Sequence, residues 1–379
     1  MKKALPYVKE LTLQDTKWFL SIFDGYSLEN LTALEVKIAP QNSIDFGSKL
    51  VTFKRLEKLK KLDLSFRAYS VLAEREFLES LTLPTNLETV HLTLINMKWN
   101  LTELTKRNRR RLISDFDHEQ RFVLFFNQWK ELKNLKTLHL TLNEESREIK
   151  RCPGLAGNFA SRIIKHLNSL ENFSYTHSMS QVRPRKKKGR APPALPVKSL
   201  DFEEFWKALE CSKNSLQSIK IETPEIAFPL KMSSLDNKFP CLKSLSLGKS
   251  ILWAKDLDSF WSGFKVLGNI EMQGLRFQDE ERFEMFMESI REDPDTKISV
   301  DVKGIKYESL MRCFSRFLHK KEIQGKFELI LRNIQINDEK EFEKDLESFY
   351  WRTYPKKLFL HHLHKDPTLT LTNEGWVNY

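Results

Sequence analysis

The sequence predicts an α/β fold, namely a single curved solenoid over residues 1–379, built from about 10–12 irregular strand–helix repeats. Three observations support this expectation. A six-residue apolar pattern recurs along the chain, an aromatic-rich stretch precedes most copies of it, and most successive copies are 25 to 30 residues apart. Two longer intervals add a pair of basic loop insertions, at residues 100–125 and 178–196.

The recurring pattern is an apolar residue, two variable positions, an apolar residue, one variable position and a further apolar residue. Its second half alternates with period two, which is typical of a short strand with one buried face. Clear copies begin at Leu31, Leu59, Leu87, Leu135, Leu170, Leu216, Leu242 and Leu267; looser copies lie near Val8, Val300, Leu329 and Leu358.

Helix-like stretches rich in Phe and Trp lie before most of these strands. Examples are TKWFLSIF from Thr16, FFNQWKEL from Phe125 and FEEFWKAL from Phe202. Aromatic residues at helical spacing predict the core-facing side of each repeat's helix and not a ligand platform. The segment from Leu200 to Phe202 fits either a strand or the start of the helix that holds Trp206.

The spacing is regular over most of the chain. Leu34 and Leu62 are 28 residues apart, Ile219 and Leu245 are 26 apart, and Ile270 and Val300 are 30 apart. A pattern of this form at this spacing resembles the leucine-rich repeats of ribonuclease-inhibitor-like and F-box-associated proteins. The repeats are degenerate, because the Asn or Cys that the family places at the ninth position is matched cleanly only by Asn143.

Two intervals are too long for one repeat. Val90 and Leu138 are 48 residues apart, and Phe173 and Ile219 are 46 apart. The surplus residues predict the two insertions, and insertions in repeat proteins map to loops that often bind partners.

Each insertion contains a basic run, and together the runs account for the net charge of +11. The basic residues are Lys106, Arg107, Arg109, Arg110, Arg111, Arg183, Arg185, Lys186, Lys187, Lys188 and Arg190. Such runs predict contact with nucleic-acid phosphates or an acidic surface, although basic runs are also common in solvated loops. Arg185 to Lys188 additionally resembles a nuclear localisation signal.

The segment after the second run is rich in proline. Arg190 leads two X-Pro pairs that end at Pro193 and Pro196, a spacing that resembles a ligand of SH3 domains. A stiff spacer that returns the chain to the repeats is the competing interpretation, and it is favoured.

Leucine-rich repeat proteins bind partner proteins on the strand face, and this resemblance implies a set of candidate partner-binding positions. They are Glu35, Asp63, His91, Thr93, His139, Thr141, Lys220 and Glu222. His91 and His139 occupy equivalent positions, and they would be neighbours if the insertion between them loops out. A metal or pH-sensing role is then possible, but solvated strand histidines are far commoner.

No enzyme signature is present in the sequence, since Walker, nucleophile-elbow, zinc-protease and Gly-rich nucleotide motifs are all missing. We therefore expect no catalytic residue, cofactor or metal. The four cysteines show no ligand spacing and predict intracellular thiols. No secretory segment and no run of about 18 apolar residues is found, so we expect a cytoplasmic or nuclear protein that is not secreted and has no membrane partner.

The predicted function is a non-catalytic scaffold or adaptor that binds another protein. The alternative is a nuclear or nucleic-acid-associated factor that contacts phosphates through its basic loops. A third possibility, by analogy with F-box leucine-rich proteins, is the substrate receptor of a ubiquitin ligase; it is weakened because no F-box-like module precedes the repeats.

Overall fold

The structure is a computed structural model that describes about half of the chain. It divides into two compact units, unit 1 over Met1–Leu216 and unit 2 over Gln217–Tyr379. The described residues are 3–4, 7–14, 26–38, 51–68, 77–97, 123–145, 155–180, 202–228, 239–252, 269–275, 297–303, 327–332, 357–361 and 368–372.

Unit 1 is organised by parallel strands that follow one another in chain order. Its strands are β1 (Lys3–Ala4), β2 (Glu10–Leu13), β3 (Tyr26–Ser27), β4 (Ala33–Ile38), β5 (Lys61–Arg67), β6 (Thr89–Met97), β7 (Thr137–Glu145) and β8 (Asn172–Ser180). The strands β2, β4, β5, β6, β7 and β8 form one sheet in that order, and every neighbouring pair is parallel. The short strands β1 and β3 pair separately, also in parallel.

The buried side of this sheet is built from the apolar positions of the pattern. Because side chains alternate along a strand and the register is in step, equivalent apolar residues of neighbouring strands lie side by side. The first buried row runs through Leu34, Leu62, Val90, Leu138 and Phe173. The second runs through Val36, Leu64, Leu92, Leu140 and Tyr175.

Helical segments cover the buried side of unit 1. They are α1 (Val123–Gln128), α2 (Leu155–Ile164), α3 (Phe202–Leu209) and the 3₁₀ segments Val51–Arg55, Trp129–Glu131 and Glu210–Ser212. The ring of Phe205 on α3 lies 5.4 Å from that of Tyr175 on β8, and the ring of Phe125 on α1 lies 5.5 Å from that of Phe159 on α2. The aromatic stretches therefore form the core side of these helices, as the sequence predicts.

A repeated backbone contact joins the start of each strand to the strand before it. The carbonyl of Lys9 accepts hydrogen bonds from the amides of Thr32 at 2.7 Å and Ala33 at 3.0 Å. The equivalent carbonyls are those of Thr32, Lys60, Glu88 and Lys136 in unit 1, and of Gln217 and Lys243 in unit 2. These contacts set the register at the point where each chain segment enters the sheet.

Unit 2 contains the remaining seven strands. They are β9 (Ser218–Phe228), β10 (Ser244–Leu252), β11 (Asn269–Leu275), β12 (Lys297–Lys303), β13 (Phe327–Arg332), β14 (Lys357–His361) and β15 (Thr368–Thr372). The first five are parallel in chain order, whereas β15 lies antiparallel between β13 and β14. A register irregularity between Gly248 and Ser250 interrupts the β9–β10 pairing.

The α/β class is confirmed, and all twelve copies of the sequence pattern coincide with strands, from β2 to β14 with the exception of β3. The segment around Phe202 is helical. The helix-like stretches around Trp18 and Trp261 lie outside the described residues. The repetition of register and backbone contacts is compatible with a solenoid, which stays a prediction.

Each predicted insertion overlaps a described helix or strand at one end. Helix α1 starts at Val123, so residues 123–125 are helical, and β8 continues to Ser180, so residues 178–180 are in a strand. Phe125 is buried, which explains the first overlap, and the alternation of burial along β8 continues as far as Ser178. The other residues of the two insertions lie outside the described residues.

Candidate partner-binding face

The side of the unit 1 sheet opposite the buried rows carries the polar positions of the pattern; we call it the outward face. The parallel register places one such residue from each strand side by side. The central row consists of Thr12, Glu35, Asp63, His91, His139 and Ser174. The row beside it consists of Lys37, Ser65, Thr93, Thr141 and Thr176, and we call it the hydroxyl row after its last four members.

The six unit 1 positions expected from the resemblance all lie in these two rows. They are Glu35, Asp63, His91, Thr93, His139 and Thr141, and all are half-buried. Half-burial follows from close packing among strand neighbours about 4.8 Å apart. The structure thus brings the predicted residues onto one surface, while their binding role stays a prediction.

The imidazole cluster, which we define as Asp63, His91 and His139, lies in the middle of the central row. Nδ1 of His91 is 3.3 Å from Oδ2 of Asp63, and the His91 and His139 rings meet edge to face with their centroids 4.2 Å apart. The two histidines are therefore neighbours, although 48 residues separate them along the chain. The cluster can therefore donate hydrogen bonds, accept hydrogen bonds and bind protons at one place on the face.

Charged side chains of the outward face are concentrated on β4 and β5. On β4, Nζ of Lys37 lies 3.0 Å from Oε1 of Glu35, and the hydroxyl of Thr12 on β2 lies 3.5 Å from Oε2 of the same carboxylate. On β5, Asp63 lies between Lys61 and Arg67, both of which are exposed. On β4 and β5 the three cations thus outnumber the two acids by one, and Glu10 on the outward side of β2 balances this difference.

The outward positions of β6, β7 and β8 are different in kind. From Thr89 to Ile95, Thr137 to Asn143 and Asn172 to Ser178, these positions hold hydroxyls, amides, one isoleucine and the two histidines, but no Lys, Arg, Asp or Glu. Uncharged polar groups are less costly to remove from water than ions. A partner could cover this half of the face without leaving a fixed charge buried and unpaired.

In unit 2, Lys220 and Glu222 lie on the corresponding side of β9 and pair with each other at 2.8 Å. The hydrogen bond to Glu222 raises the pKa of Lys220, with support from the charges of Glu222 and Glu271. A Cβ added at Gly248 on β10 would lie 2.8 Å from Cγ of Glu222, so the glycine leaves space for this side chain. Glu271 also accepts a hydrogen bond from the Ser246 hydroxyl at 3.2 Å.

A second polar row at the start of the unit 1 strands is not evident from the sequence pattern. It lies where each chain segment enters the sheet, and we call it the edge row: Thr32, Lys60, Glu88, Lys136 and Glu171. Lys60 pairs with Glu88 at 2.8 Å, and Lys136 with Glu171 at 3.2 Å. The hydrogen bond from Lys60, together with the charges of Lys60 and Lys136, lowers the pKa of Glu88.

The remaining candidate residues belong to the two basic runs and the proline motif. The eleven basic residues from Lys106 to Arg190, and Pro193 and Pro196 of the proline motif, lie outside the described residues. Within the described part of the chain, Cys211 and Cys241 are exposed and are not joined in disulfides, and no group of three or more His, Cys, Asp or Glu side chains is arranged to hold a metal ion. The described helices include none that combines the length and apolarity needed to cross a bilayer.

Comparison with known proteins gives no assignment: the sequence matches no protein-family model, and a search of curated proteins finds no similar chain. Among the described residues, the outward face of unit 1 is the feature that best indicates a function.

Proposed function

We propose that the chain is a non-catalytic protein-interaction scaffold of the leucine-rich-repeat type, whose partner binds the outward face of unit 1. The observation that carries this proposal is the register of β4 to β8. It assembles the central row and the hydroxyl row into one continuous surface of half-exposed polar groups.

Rigidity supports the proposal. The outward face is backed by fully buried rows, including Leu138, Leu140 and Tyr175, so its polar groups keep fixed spacings before a partner arrives. Fixed groups lose little conformational entropy on binding, which favours affinity. The strand pattern and its spacing supply the resemblance to leucine-rich repeats.

The direct test is site-specific photo-crosslinking in cells. A benzophenone amino acid is incorporated in place of Thr141, at the middle of the face, or in place of Lys133, an exposed residue in the turn before β7. Partners captured at the first position and not at the second are then purified and bound to the unmodified protein. The variant Thr141→Trp, which adds bulk to the face, should weaken that binding at least tenfold, whereas Lys133→Trp should leave it unchanged.

A partner whose affinity is the same for T141W and the unmodified protein would contradict the proposal. Thermal unfolding of both tryptophan variants shows whether either variant still folds. Thr141 is a half-buried strand residue, a position at which tryptophan is favourable, and Lys133 is exposed in a turn, so we expect both variants to remain folded.

One topological observation favours a second function, the binding of nucleic-acid phosphates through the basic runs. Strand β6 ends at Met97 and strand β8 at Ser180, and both strands are parallel with only β7 between them. The two basic runs therefore follow strand ends that lie at the same edge of the sheet, about 10 Å apart. Two runs tethered to one edge can contact one polyanion together.

The test of this second function is the salt dependence of binding to a labelled duplex of about 20 base pairs. Each phosphate that a variant no longer neutralises should reduce the slope of log K against log salt by about one. Changing Arg109, Arg110 and Arg111 to serine should lower the slope, and changing Arg185, Lys186 and Lys187 as well should lower it further. Weak, salt-insensitive binding by the unmodified protein would rule this function out.

A further inference from the structure

The imidazole cluster lies where the charged and uncharged halves of the outward face meet. Asp63 belongs to β5, which also carries Lys61 and Arg67, whereas His91 and His139 begin the half without fixed charge. The cluster is only partly covered, since about a third of each of the Asp63 and His91 side chains remains exposed. A bound side chain can therefore reach both imidazoles and the cations of β5.

We propose that the imidazole cluster is the docking centre for an acidic segment of the partner protein, rich in Asp and Glu, and that this segment binds more tightly as the pH falls from 7.5 to 5.5. The inference rests on the proposed function, because it assigns the partner's chemistry to the same face.

Charge complementarity selects the acidic partner. Among the described outward positions, β4 contributes Glu35 and Lys37, which are paired with each other, and β5 contributes Lys61, Asp63 and Arg67. The described outward positions of β6, β7 and β8 contribute only the two imidazoles. The described outward positions of β4 to β8 thus carry one net positive charge when the histidines are neutral and three when both are protonated; Glu10, on the more distant strand β2, lowers each figure by one.

Protonation strengthens the attraction because histidine is the side chain that ordinarily changes its charge between pH 5 and 8. Each imidazole that becomes cationic adds a charge-assisted donor for a carboxylate. The hydroxyls of Thr93 and Thr141, two residues after the histidines on β6 and β7, offer further hydrogen-bond donors beside the imidazole cluster. A basic partner segment would instead meet a surface that becomes more repulsive.

Asp63 has two effects that can be separated by mutation. Its carboxylate lies within 3.3 Å of Nδ1 of His91 and orients that ring when the nitrogen carries its proton. The same negative charge opposes an incoming anion. Removing the charge while keeping the hydrogen bond, as in Asp63→Asn, should therefore increase the affinity for an acidic segment.

The experiment titrates the full-length protein with three nine-residue peptides in which Thr alternates with Glu, Gln or Lys. Binding is followed by NMR shifts of the imidazole and threonine methyl signals at pH 7.5, 6.5 and 5.5. We expect the Glu peptide to bind best, and to bind about 5-fold to 10-fold more tightly at pH 5.5 than at pH 7.5. The double variant H91N/H139N should lose this pH dependence, and D63N should bind the Glu peptide more tightly at both ends of the range.

The control variant is Glu57→Gln, which removes a carboxylate from an exposed turn outside the face and should not alter any of these affinities. Equal binding of the Glu and Gln peptides, a preference for the Lys peptide, or pH dependence that survives in H91N/H139N would each overturn the inference. The proposed function is judged separately: if the crosslinked partner still loses affinity with T141W, the face binds a partner of other chemistry and only the inference fails.

Discussion

The edge row and the central row cross the same strands of unit 1, one residue per strand, and both are reached by water. In the edge row, Lys60, Glu88, Lys136 and Glu171 alternate in sign and pair with their neighbours at 2.8 and 3.2 Å. In the central row, charge disappears beyond Asp63 and is replaced by imidazole and hydroxyl groups. The edge row thus consists mainly of paired charges, whereas the central row beyond Asp63 presents partly exposed polar groups without a fixed charge.

The largest effect should come from removing the core that supports both rows. Trp129 is completely buried behind the sheet, with its ring 6.0 Å from that of Phe125. Trp129→Ala should lower the free energy of unfolding by about 3–5 kcal/mol, measured by urea denaturation. Leu124→Ala, at a position that is 75% exposed, serves as the control and should change it by less than about 0.5 kcal/mol. Similar decreases in the two variants would mean that the helices do not support the sheet.

The next effect concerns the turn that precedes the last residue of the edge row. The buried hydroxyl of Ser212 donates to the carbonyl of Leu167 at 2.7 Å and accepts from the amide of Leu170 at 3.3 Å. Ser212→Ala leaves both backbone groups without this partner and should cost about 1–3 kcal/mol of unfolding free energy.

Ser215→Ala is the matched control for this change. Ser215 is only half-buried, so water can replace its 2.9 Å hydrogen bond to the Leu170 carbonyl, and the decrease in stability should be smaller. A larger decrease in S215A than in S212A would contradict this explanation.

Reversing the charge of Glu88 tests whether the edge row and the central row act independently. Glu88→Lys places three cations in succession in the edge row, so the melting temperature should fall at about 20 mM salt and recover partly at about 0.5 M, where charges are screened. Glu57→Lys reverses an exposed charge outside the row and should show a smaller, less salt-dependent change. Partner binding by the central row should be unaffected; a simultaneous decrease in binding would show that the rows are not independent.

The smallest expected effect is a pH dependence of the free energy of unfolding. The folded state lowers the pKa of Glu88, so the unfolded chain takes up this proton first as the pH falls. The stabilisation by the carboxylate is therefore complete above the ordinary value of about 4.5 and is lost as the pH falls through the lowered one. The stability difference between the unmodified protein and Glu88→Gln, measured by urea denaturation at pH 6, 4.5 and 3, should shrink toward zero at the acid end. A difference that is constant over this range would contradict the pairing.

Most strands could be predicted from sequence because their apolar alternation is local. Two features required information that the pattern lacks. The strand β9 continues through Pro224 to Phe228, although proline normally argues against a strand interior, because a register irregularity in the pairing accommodates it. The alternation TLTLT of β15 does not stand out in the sequence, because this strand runs antiparallel and follows none of the repeat spacing.

The site was only half predictable. The outward positions, including the adjacency of His91 and His139, follow from the alternation once the strands are aligned. The edge row could not be recognised, because its alternating charges emerge only when Glu88 and Lys136 are known to be neighbours. That knowledge needs the parallel register across the long β6–β7 interval, which no local pattern supplies.

The constancy of the register has a practical consequence for protein engineering. Twenty-two residues lie between Ile38 and Lys61, and 39 lie between Met97 and Thr137, yet both strand pairs match equivalent positions over their first six residues. The architecture of the sheet is therefore insensitive to the length of the connecting chain. A reporter domain or an affinity tag could be grafted into the β6–β7 connection, turning the chain into a sensor of its own partner.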